Sequence, residues 1–256
     1  MTFPEARRAA GRSVRGWLYR EGMVGQLPAG GSGPAAAASF AAAGDTPLVA
    51  GLDVVVVDVE TTGFRPATAT IIEIGAVRLS GRRVTGEFFS LVSPGPGVAV
   101  PEGITELTGI TDDMVGGAPR AADALAAFLT FARGAVLVAH NAPFDMGFLL
   151  SGCRAGGLAW PPTAVLDTAV LARTVLREEQ VPDCKLATLA AYFGTRTAPC
   201  HRALADAQAT GEVLLGLLDV VAAARRGIRP RLAAPAPAPS EPPALPAPRP
   251  LAAICA

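Results

Sequence analysis

Short apolar stretches bounded by turn residues divide the middle of the chain into strand-like segments. Residues 54–57 are four consecutive valines, the pattern of a strand that is buried on both faces. Two more stretches follow at 71–79 and 87–92, with turn signals at Gly63, Pro66 and Gly81. Residues 135–139 and 165–167 complete the set. The pattern predicts five strands, the first three of them adjacent along the chain.

Helical spacing of apolar residues alternates with these strands in the second half of the domain. Leu125, Phe128 and Leu129 recur at this spacing within residues 121–133. Similar patterns cover residues 144–153, 168–176, 186–193 and, as the longest, 202–226. Strands interleaved with helices predict an α/β domain in which helices pack on a mixed sheet. We place this domain at residues 47–227.

The two ends of the chain differ in composition from this domain. Residues 1–46 contain five arginines and then a stretch of Gly, Ala, Ser and Pro, which buries too little apolar surface to order by itself. We expect an arginine-rich arm and a Gly/Ala linker, disordered or partly helical. Residues 228–256 carry nine prolines among alanines, so we expect a disordered, extended tail. We expect no second catalytic domain.

The charge balance narrows the class of function. The 256 residues carry 22 basic and 22 acidic side chains, yet the region 47–227 has 14 basic and 18 acidic residues and a net charge of −4. A domain that bound nucleic acid through bulk charge would be basic. Any phosphate chemistry here therefore requires a local device such as bound cations.

Cysteine content and the length of the apolar runs indicate in which cellular compartment the protein is expected. Four scattered cysteines without a C-x-x-C pair argue against a zinc site and a disulfide scaffold, and they indicate a reducing, cytoplasmic environment. The longest apolar run, 213–224, is interrupted by Asp219. A membrane span needs roughly 20 apolar residues. We therefore expect no membrane partner.

The first candidate site residues lie at the end of the first strand, in Asp-Val-Glu-Thr-Thr-Gly from residue 58. Asp58 and Glu60 are two residues apart, so they project from the same face of the strand, about 7 Å apart along the chain. Two carboxylates directed together repel unless a cation or a proton neutralises them. The pair can share a metal ion, although a solvated strand end is the commoner reason for a single such pair.

A second segment, His-Asn-Ala-Pro-Phe-Asp from residue 140, follows the fourth strand. Pro143 suits a first helical turn, with Asn141 or Ala142 as the cap, which directs Asp145 toward the end of the strand. By itself this segment has a simpler interpretation as strand, cap and helix start. His140 in it is more typical of a hydrogen-bonded structural histidine than of a catalytic one.

A third segment, His-Arg-Ala-Leu-Ala-Asp from residue 201, begins the last long helix. Five residues on a helix separate His201 and Asp206 by about 140°, so the two side chains converge only if His201 precedes the helix. Pro199 supports this arrangement, because helices often begin just after a proline. The simpler alternative is that both residues cap the helix.

The order of these three motifs resembles the signature of the DEDDh exonucleases. Asp-x-Glu-Thr-Thr-Gly, Asn-x-x-Phe-Asp and His-x-x-x-x-Asp occur in that order, together with matching segments at 71–76, 107–111 and 186–190. Within this family the region 54–218 is similar to the proofreading (epsilon) subunits of bacterial DNA polymerase III. The resemblance implies a ribonuclease-H-like three-layer fold, with a five-stranded mixed sheet flanked by helices.

The resemblance also implies roles for the residues at matching positions. The implied metal-binding acids are Asp58, Glu60, Asp145 and Asp206, and the implied general base is His201. Two divalent cations, Mg²⁺ or Mn²⁺, are expected about 3.5–4 Å apart. The less closely matched substrate contacts are Thr61, Thr62, Glu102, Thr108 and Asn141.

The implied reaction is the metal-dependent release of nucleoside 5′-monophosphates from a nucleic acid 3′ end. Single-stranded DNA is the expected substrate, in proofreading or repair, and a DNA polymerase or another replication or repair protein is the expected partner. We expect Asp58 to bridge both ions, with Glu60 and Asp206 in one site and Asp145 bound directly or through water. His201 would take a proton from the attacking water, since histidine ordinarily titrates near pH 6.5.

Three alternatives stay open on the sequence. The substrate is RNA in some relatives, and the motifs barely separate the two nucleic acids because discrimination depends on contacts at the 2′-hydroxyl. An inactive nuclease fold used as a binding module is a second alternative, opposed by the presence of all five catalytic positions. A third is a nucleophilic Cys200 beside His201, opposed because adjacent residues normally point apart.

Overall fold

The computed structural model describes residues 51–161 and 163–225 of the chain. Its strands are β1 (Asp53–Thr61), β2 (Ile71–Ser80), β3 (Arg83–Leu91), β4 (Val136–Ala139) and β5 (Val165–Asp167). Its helices are α1 (Glu102–Thr108), α2 (Asp112–Gly116), α3 (Ala121–Phe131), α4 (Ala142–Ala155), α5 (Thr168–Val175), α6 (Leu186–Phe193) and α7 (Ala203–Arg225). The arm, linker and tail expected at 1–46 and 228–256 lie outside the described residues.

The five strands form one mixed sheet in the order β3-β2-β1-β4-β5. The first three strands pair antiparallel, and β1–β4 and β4–β5 pair parallel. Val56 lies opposite Val138, one residue before β4 ends, so β1 continues beyond its neighbour. The residues of β1 after Val56 are therefore not paired with β4, and the segment that follows β4 can approach them.

The four valines of β1 pack alternately into two cores, as the predicted doubly buried strand requires. Val54 and Val56 belong to the core that includes Leu214 of α7. Val55 and Val57 belong to the opposite core, together with residues of α3 and α4. Helices cover both faces of the sheet, so the predicted three-layer α/β architecture is confirmed.

Differences from the sequence prediction concern the extent of elements. β1 extends to Thr61 rather than 57, and β3 begins at Arg83 rather than 87, because both strands continue through polar positions that the apolar pattern omits. The helices α1 and α2 were not predicted. With seven and five residues they are too short to establish helical periodicity.

The longest helix, α7, forms the centre of one core. With 23 residues it is long and apolar enough to cross a membrane by composition alone, but 67% of its apolar window is buried inside the domain. The helix contacts β1 and β2, and Val213, Leu214 and Leu217 are fully buried. Its apolar character is therefore explained by packing on the sheet.

Candidate active site

Two acids from β1 form the base of the site. Val54 and Val56 face the α7 side of the sheet, so strand alternation places Asp58 and Glu60 on that same side. Burial, followed by the negative charges of Asp145 and Glu60, raises the pKa of Asp58 well above its usual range. Burial and the charges of Asp206 and Glu73 raise the pKa of Glu60 to about 7, against an opposing effect of Arg202.

The third acid, Asp145, approaches β1 from the first turn of α4. Asp145 is 3% exposed, and its Oδ1 accepts a hydrogen bond of 3.2 Å from the backbone N–H of Val59. Asp145 therefore lies against the segment that carries Asp58 and Glu60. Burial raises its pKa well above the ordinary value, although backbone hydrogen bonds act in the opposite direction.

The start of α4 is held by an acid from another strand. Asn141 occupies the capping position with a left-handed backbone (φ 63°), but its side chain makes no capping bond. Instead the carboxylate of Asp167, at the end of β5, accepts hydrogen bonds of 3.1 Å from the N–H groups of Asn141 and Ala142. The same carboxylate caps α5.

The fourth acid and the histidine come from the start of α7. Asp206 lies in the first turn and is 7% exposed, and its Oδ1 accepts a 2.8 Å bond from the N–H of Cys200. His201 precedes the helix, as predicted, and is exposed with φ 56°. Ligand atoms of Glu60, His201 and Asp206 all lie within 4.8 Å of one another.

Two residues that support this segment were not identified as functional from the sequence. Glu73 of β2 is fully buried and accepts bonds from Arg202 Nη2 (2.6 Å) and from the N–H of Ala203 (2.7 Å). Gly75 of β2 faces the same turn, because a Cβ there would lie 2.1 Å from the backbone nitrogen of Leu204. An acid inside the otherwise apolar Ile-Ile-Glu-Ile stretch was the available signal for Glu73.

Two of the predicted substrate contacts lie in the loop after β1. The Thr61 hydroxyl donates to the carbonyl of Gly63 (2.6 Å), and the Thr62 hydroxyl accepts a bond from the N–H of Thr70 (3.0 Å). The Thr62 N–H donates in turn to the Thr70 carbonyl (2.9 Å). These groups fix the loop that carries Phe64, and the substrate role of both threonines stays a prediction.

The other predicted substrate contacts are differently placed. Glu102 is exposed in the first turn of α1, and Asn141 is exposed at the start of α4. Thr108 is 4% exposed, and its hydroxyl donates to the carbonyl of Ile104 and accepts from the N–H of Ile110. Both hydrogen bonds of the Thr108 hydroxyl are thus to neighbouring backbone groups, and the contact of Thr108 with substrate stays a prediction.

Thiol chemistry and a catalytic His140 both receive little support from the structure. Burial and the charge of Asp206 raise the pKa of Cys200, which disfavours the nucleophilic thiolate. His140 Nδ1 lies 2.9 Å from the Thr168 hydroxyl, and burial lowers its pKa. His140 is therefore a hydrogen-bonded histidine that links β4 to α5.

The donor set suits divalent cations. Burial raises the pKa values of all four acids, and the charges of neighbouring acids add to this effect at Asp58, Glu60 and Asp145. The 4.8 Å limit around Glu60, His201 and Asp206 matches the roughly 4–5 Å between opposite ligands of a divalent ion. Carboxylate oxygens favour Mg²⁺ or Mn²⁺. The four acids would hold such ions.

The sheet order and the four acids beside a histidine define a nuclease domain of the ribonuclease-H-like class. A family model described as an exonuclease, RNase_T, matches residues 55–214, which is more than half of the chain. The chain belongs to this exonuclease family, and its resemblance to the DEDDh enzymes is confirmed.

Two relatives with known names illustrate the family. A Mycobacterium tuberculosis protein named as a bifunctional exonuclease/endonuclease is 48% identical over 174 residues, covering 65% of this chain and 26% of the relative. A PolC-type DNA polymerase III of Caldanaerobacter subterraneus is 42% identical over 165 residues, covering 64% of this chain and 11% of the relative. The chain thus spans about a quarter or less of these relatives.

Solved structures share the fold at low sequence identity. Exonuclease X, in complex with 5′-overhanging duplex DNA, has a TM-score of 0.53 and 24% identity, covering 65% of this chain and 91% of the other. The nuclease domain of 3'hExo, described as a DEDDh family member bound to rAMP, has a TM-score of 0.55 and 20% identity, covering 65% and 92%. These similarities show the fold.

Proposed function

We propose that this chain is a metal-dependent 3′-to-5′ exonuclease that releases nucleoside 5′-monophosphates from DNA 3′ ends in proofreading or repair. The observation that carries the proposal is the convergence of Glu60, His201 and Asp206 within 4.8 Å, beside the buried charges of Asp58 and Asp145. An inactive binding module would have no need for this concentration of repelling carboxylates.

Each residue of the site has a distinct task in this reaction. Two divalent ions, when bound, would activate a water molecule and stabilise the attacking and leaving oxygens. Asp58 and its three partner acids would hold those ions, and the rigid start of α7 orients Asp206. His201, exposed at the mouth of the site, would accept the proton of the attacking water.

A labelled-oligonucleotide assay tests polarity and metal requirement together. Single-stranded DNA labelled at either end would be incubated with Mg²⁺, with Mn²⁺ and with a chelator. A 5′ label should yield a ladder of shortening products, a 3′ label should yield labelled mononucleotide at once, and chelation should stop both. Metal-independent cleavage, or release from the 5′ end first, would contradict the proposal.

RNA is the second candidate substrate. One structural neighbour is described as a 3′-exonuclease that recognises a histone mRNA stem-loop, with a TM-score of 0.55 and 20% identity. Matched DNA and RNA oligomers of one sequence would separate the two readings of the same site. Faster degradation of DNA supports the primary proposal, and faster degradation of RNA replaces it with an exoribonuclease.

We propose a replicative or repair complex as the partner and the cytoplasm as the location. The named relatives include DNA polymerase III proteins of PolC type, which supports a polymerase as partner. Cys153, Cys184 and Cys200 are free thiols within the described residues, in keeping with a reducing compartment. Co-purification with a tagged polymerase, with Asp58→Asn as an inactive control, tests the partner.

A further inference from the structure

His201 occupies a backbone conformation that its neighbours must maintain. Its φ of 56° lies in the left-handed region, which among the described non-glycine residues is shared only with Asn141. Side chains make this region unfavourable, so the surrounding structure has to hold a residue in it. On the preceding side, the N–H of Cys200 is fixed by Asp206 Oδ1 at 2.8 Å. An equivalent anchor is needed on the following side.

Glu73 supplies that anchor from β2. Its carboxylate accepts bonds from Arg202 Nε (3.1 Å) and Nη2 (2.6 Å), and from the N–H of Ala203 (2.7 Å). One buried acid therefore fixes the two residues that follow His201. A bidentate guanidinium–carboxylate pair sets orientation as well as charge. The backbone of His201, which itself bonds the Asp206 carboxylate, therefore lies between Cys200, which Asp206 fixes, and two residues that Glu73 fixes.

The ion pair between Arg202 and Glu73 also affects the charge near Glu60. Glu60 and Glu73 are directly opposite each other on β1 and β2, an arrangement in which like charges repel. The guanidinium of Arg202 stands by both acids, since it bonds Glu73 and lowers the pKa of Glu60. Arg202 thus compensates one acid of the cross-strand pair and leaves the other free for a cation.

We propose that Arg202 and Glu73 form a positioning pair that holds the His201 imidazole over Glu60 and Asp206. Neither residue of the pair needs to touch substrate, because the pair acts through the backbone that follows His201. This inference rests on the proposed function, in which His201 is the general base. Replacing either partner should lower turnover while leaving substrate affinity nearly unchanged.

A second arginine–acid pair, which joins the turn between β2 and β3 to α7, provides a matched control. Arg82 bonds Asp219, toward the opposite end of the helix from Asp206, and the Arg82 side chain is 10% exposed. Arg82→Ala should therefore lower the melting temperature without changing kcat. This variant separates general weakening of α7 from displacement of His201.

Kinetics of Arg202→Ala and Arg202→Lys, each in the parent and in a His201→Ala background, test the pair. In the parent, Arg202→Ala should lower kcat about tenfold or more with KM changed less than about threefold, because small misplacements of a catalytic group cost this much. Arg202→Lys should restore part of the loss. In the His201→Ala background, Arg202→Ala should add less than about a twofold loss, because the group it positions is gone. An undiminished kcat, or an equal loss in both backgrounds, would overturn the inference.

A spectroscopic measurement on the metal-free protein distinguishes this failure from failure of the proposed function. The chain has two histidines, so ¹⁵N-histidine labelling reports on His201 with His140 as an internal reference. In Arg202→Ala the His201 amide order parameter should fall while that of His140 stays constant, and Arg82→Ala should change neither. An unchanged His201 signal contradicts the positioning pair even if the parent is an active exonuclease. Absent exonuclease activity with a changed His201 signal contradicts only the proposed function.

Discussion

Asp58 lies among the other acids of the candidate site. It lies on the buried central strand, and burial, followed by the charges of the three other acids of the site, raises its pKa. In the metal-free protein these charges oppose folding, whereas with ions bound the same charges become ligands. The Asp58 carboxylate therefore lowers the free energy of unfolding of the metal-free protein, in return for the ability to hold a cation.

Asp58→Asn should therefore abolish activity and raise the melting temperature of the metal-free protein. Loss of the negative charge removes both the ion ligand and the repulsion, and 1 kcal/mol corresponds to about 2–4 °C in a domain of this size. His201→Ala should instead lose about 10² to 10⁴ in kcat, the usual contribution of a general base, and keep its affinity for Mn²⁺. Thermal melts at pH 8 with a chelator, and titration calorimetry with Mn²⁺, measure both effects. Full nuclease activity in Asp58→Asn would refute the metal site.

Phe64 is an exposed aromatic residue three positions after the end of β1. Its side chain is 80% exposed, in the loop that follows β1. An aromatic ring held in solvent at the end of a catalytic strand offers a stacking surface for a nucleic acid base, which is worth about 1–3 kcal/mol per base.

Phe64→Ala should raise KM for single-stranded DNA by about 5- to 150-fold, the range that this stacking energy predicts, with little change in melting temperature. Phe89→Ala provides the control, because Phe89 is also exposed (49%) but lies on the edge strand β3. Steady-state kinetics on one oligonucleotide compare the three proteins. A similar KM in all of them would remove Phe64 from the substrate path.

At the scale of elements, the contact between β2 and α7 determines where the site can form. A Cβ on Gly75 would lie 2.1–2.5 Å from backbone atoms of Ala203 and Leu204, so only glycine allows this approach. A Cβ on Gly211, inside α7, would meet Leu79 and Val56 at 3.4 and 3.6 Å, which is ordinary contact.

The two glycines should consequently respond to alanine in opposite directions. Gly75→Ala must displace the start of α7 and with it Asp206, so both melting temperature and nuclease activity should fall. Gly211→Ala should stabilise the protein by up to about 1 kcal/mol, the difference in helix propensity, and leave activity intact. Thermal melts with parallel nuclease assays measure both variants. Stabilisation by Gly75→Ala would contradict the described contact.

Sequence patterns predicted whole elements better than the connections between them. The five strands and the five longer helices follow local periodicity, and the three motifs lie where strands end and helices begin. Local patterns cannot show that Glu73 reaches a partner 129 residues away, or that Asp167 rather than the side chain of Asn141 supplies the helix cap. These contacts depend on strand order, which periodicity alone does not determine.

At the scale of the whole molecule, the raised pKa values of the acid site make the free energy of unfolding depend on pH. Glu60 ordinarily titrates near 4.5 but has a pKa of about 7 in the folded protein, so the native state retains a proton that the unfolded chain releases. The free energy of unfolding should therefore fall as pH rises through this window. His140, with its lowered pKa, acts in the opposite sense only below about pH 6.5.

Melting temperatures between pH 7 and 8 test this coupling, because His140 is mostly neutral in both states over that range. Without metal the melting temperature should decrease with pH. With Mn²⁺ at about 100 times its dissociation constant, stability should increase by about 2.7 kcal/mol, and the pH trend should reverse because proton release tightens binding. Glu60→Gln, measured in parallel, should flatten the metal-free trend. A metal-free melting temperature that rises with pH would contradict the raised pKa values.

The position of Asp167 has a consequence for how mutational surveys of this domain are interpreted. Its one carboxylate accepts bonds from Asn141 and Ala142 at the start of α4 and from Ala169 and Val170 at the start of α5. Replacing it would release two helix termini at once, one of them the support of Asp145. A screen scored on DNA degradation alone would then rank Asp167 beside the proposed metal ligands, although its carboxylate holds helix termini.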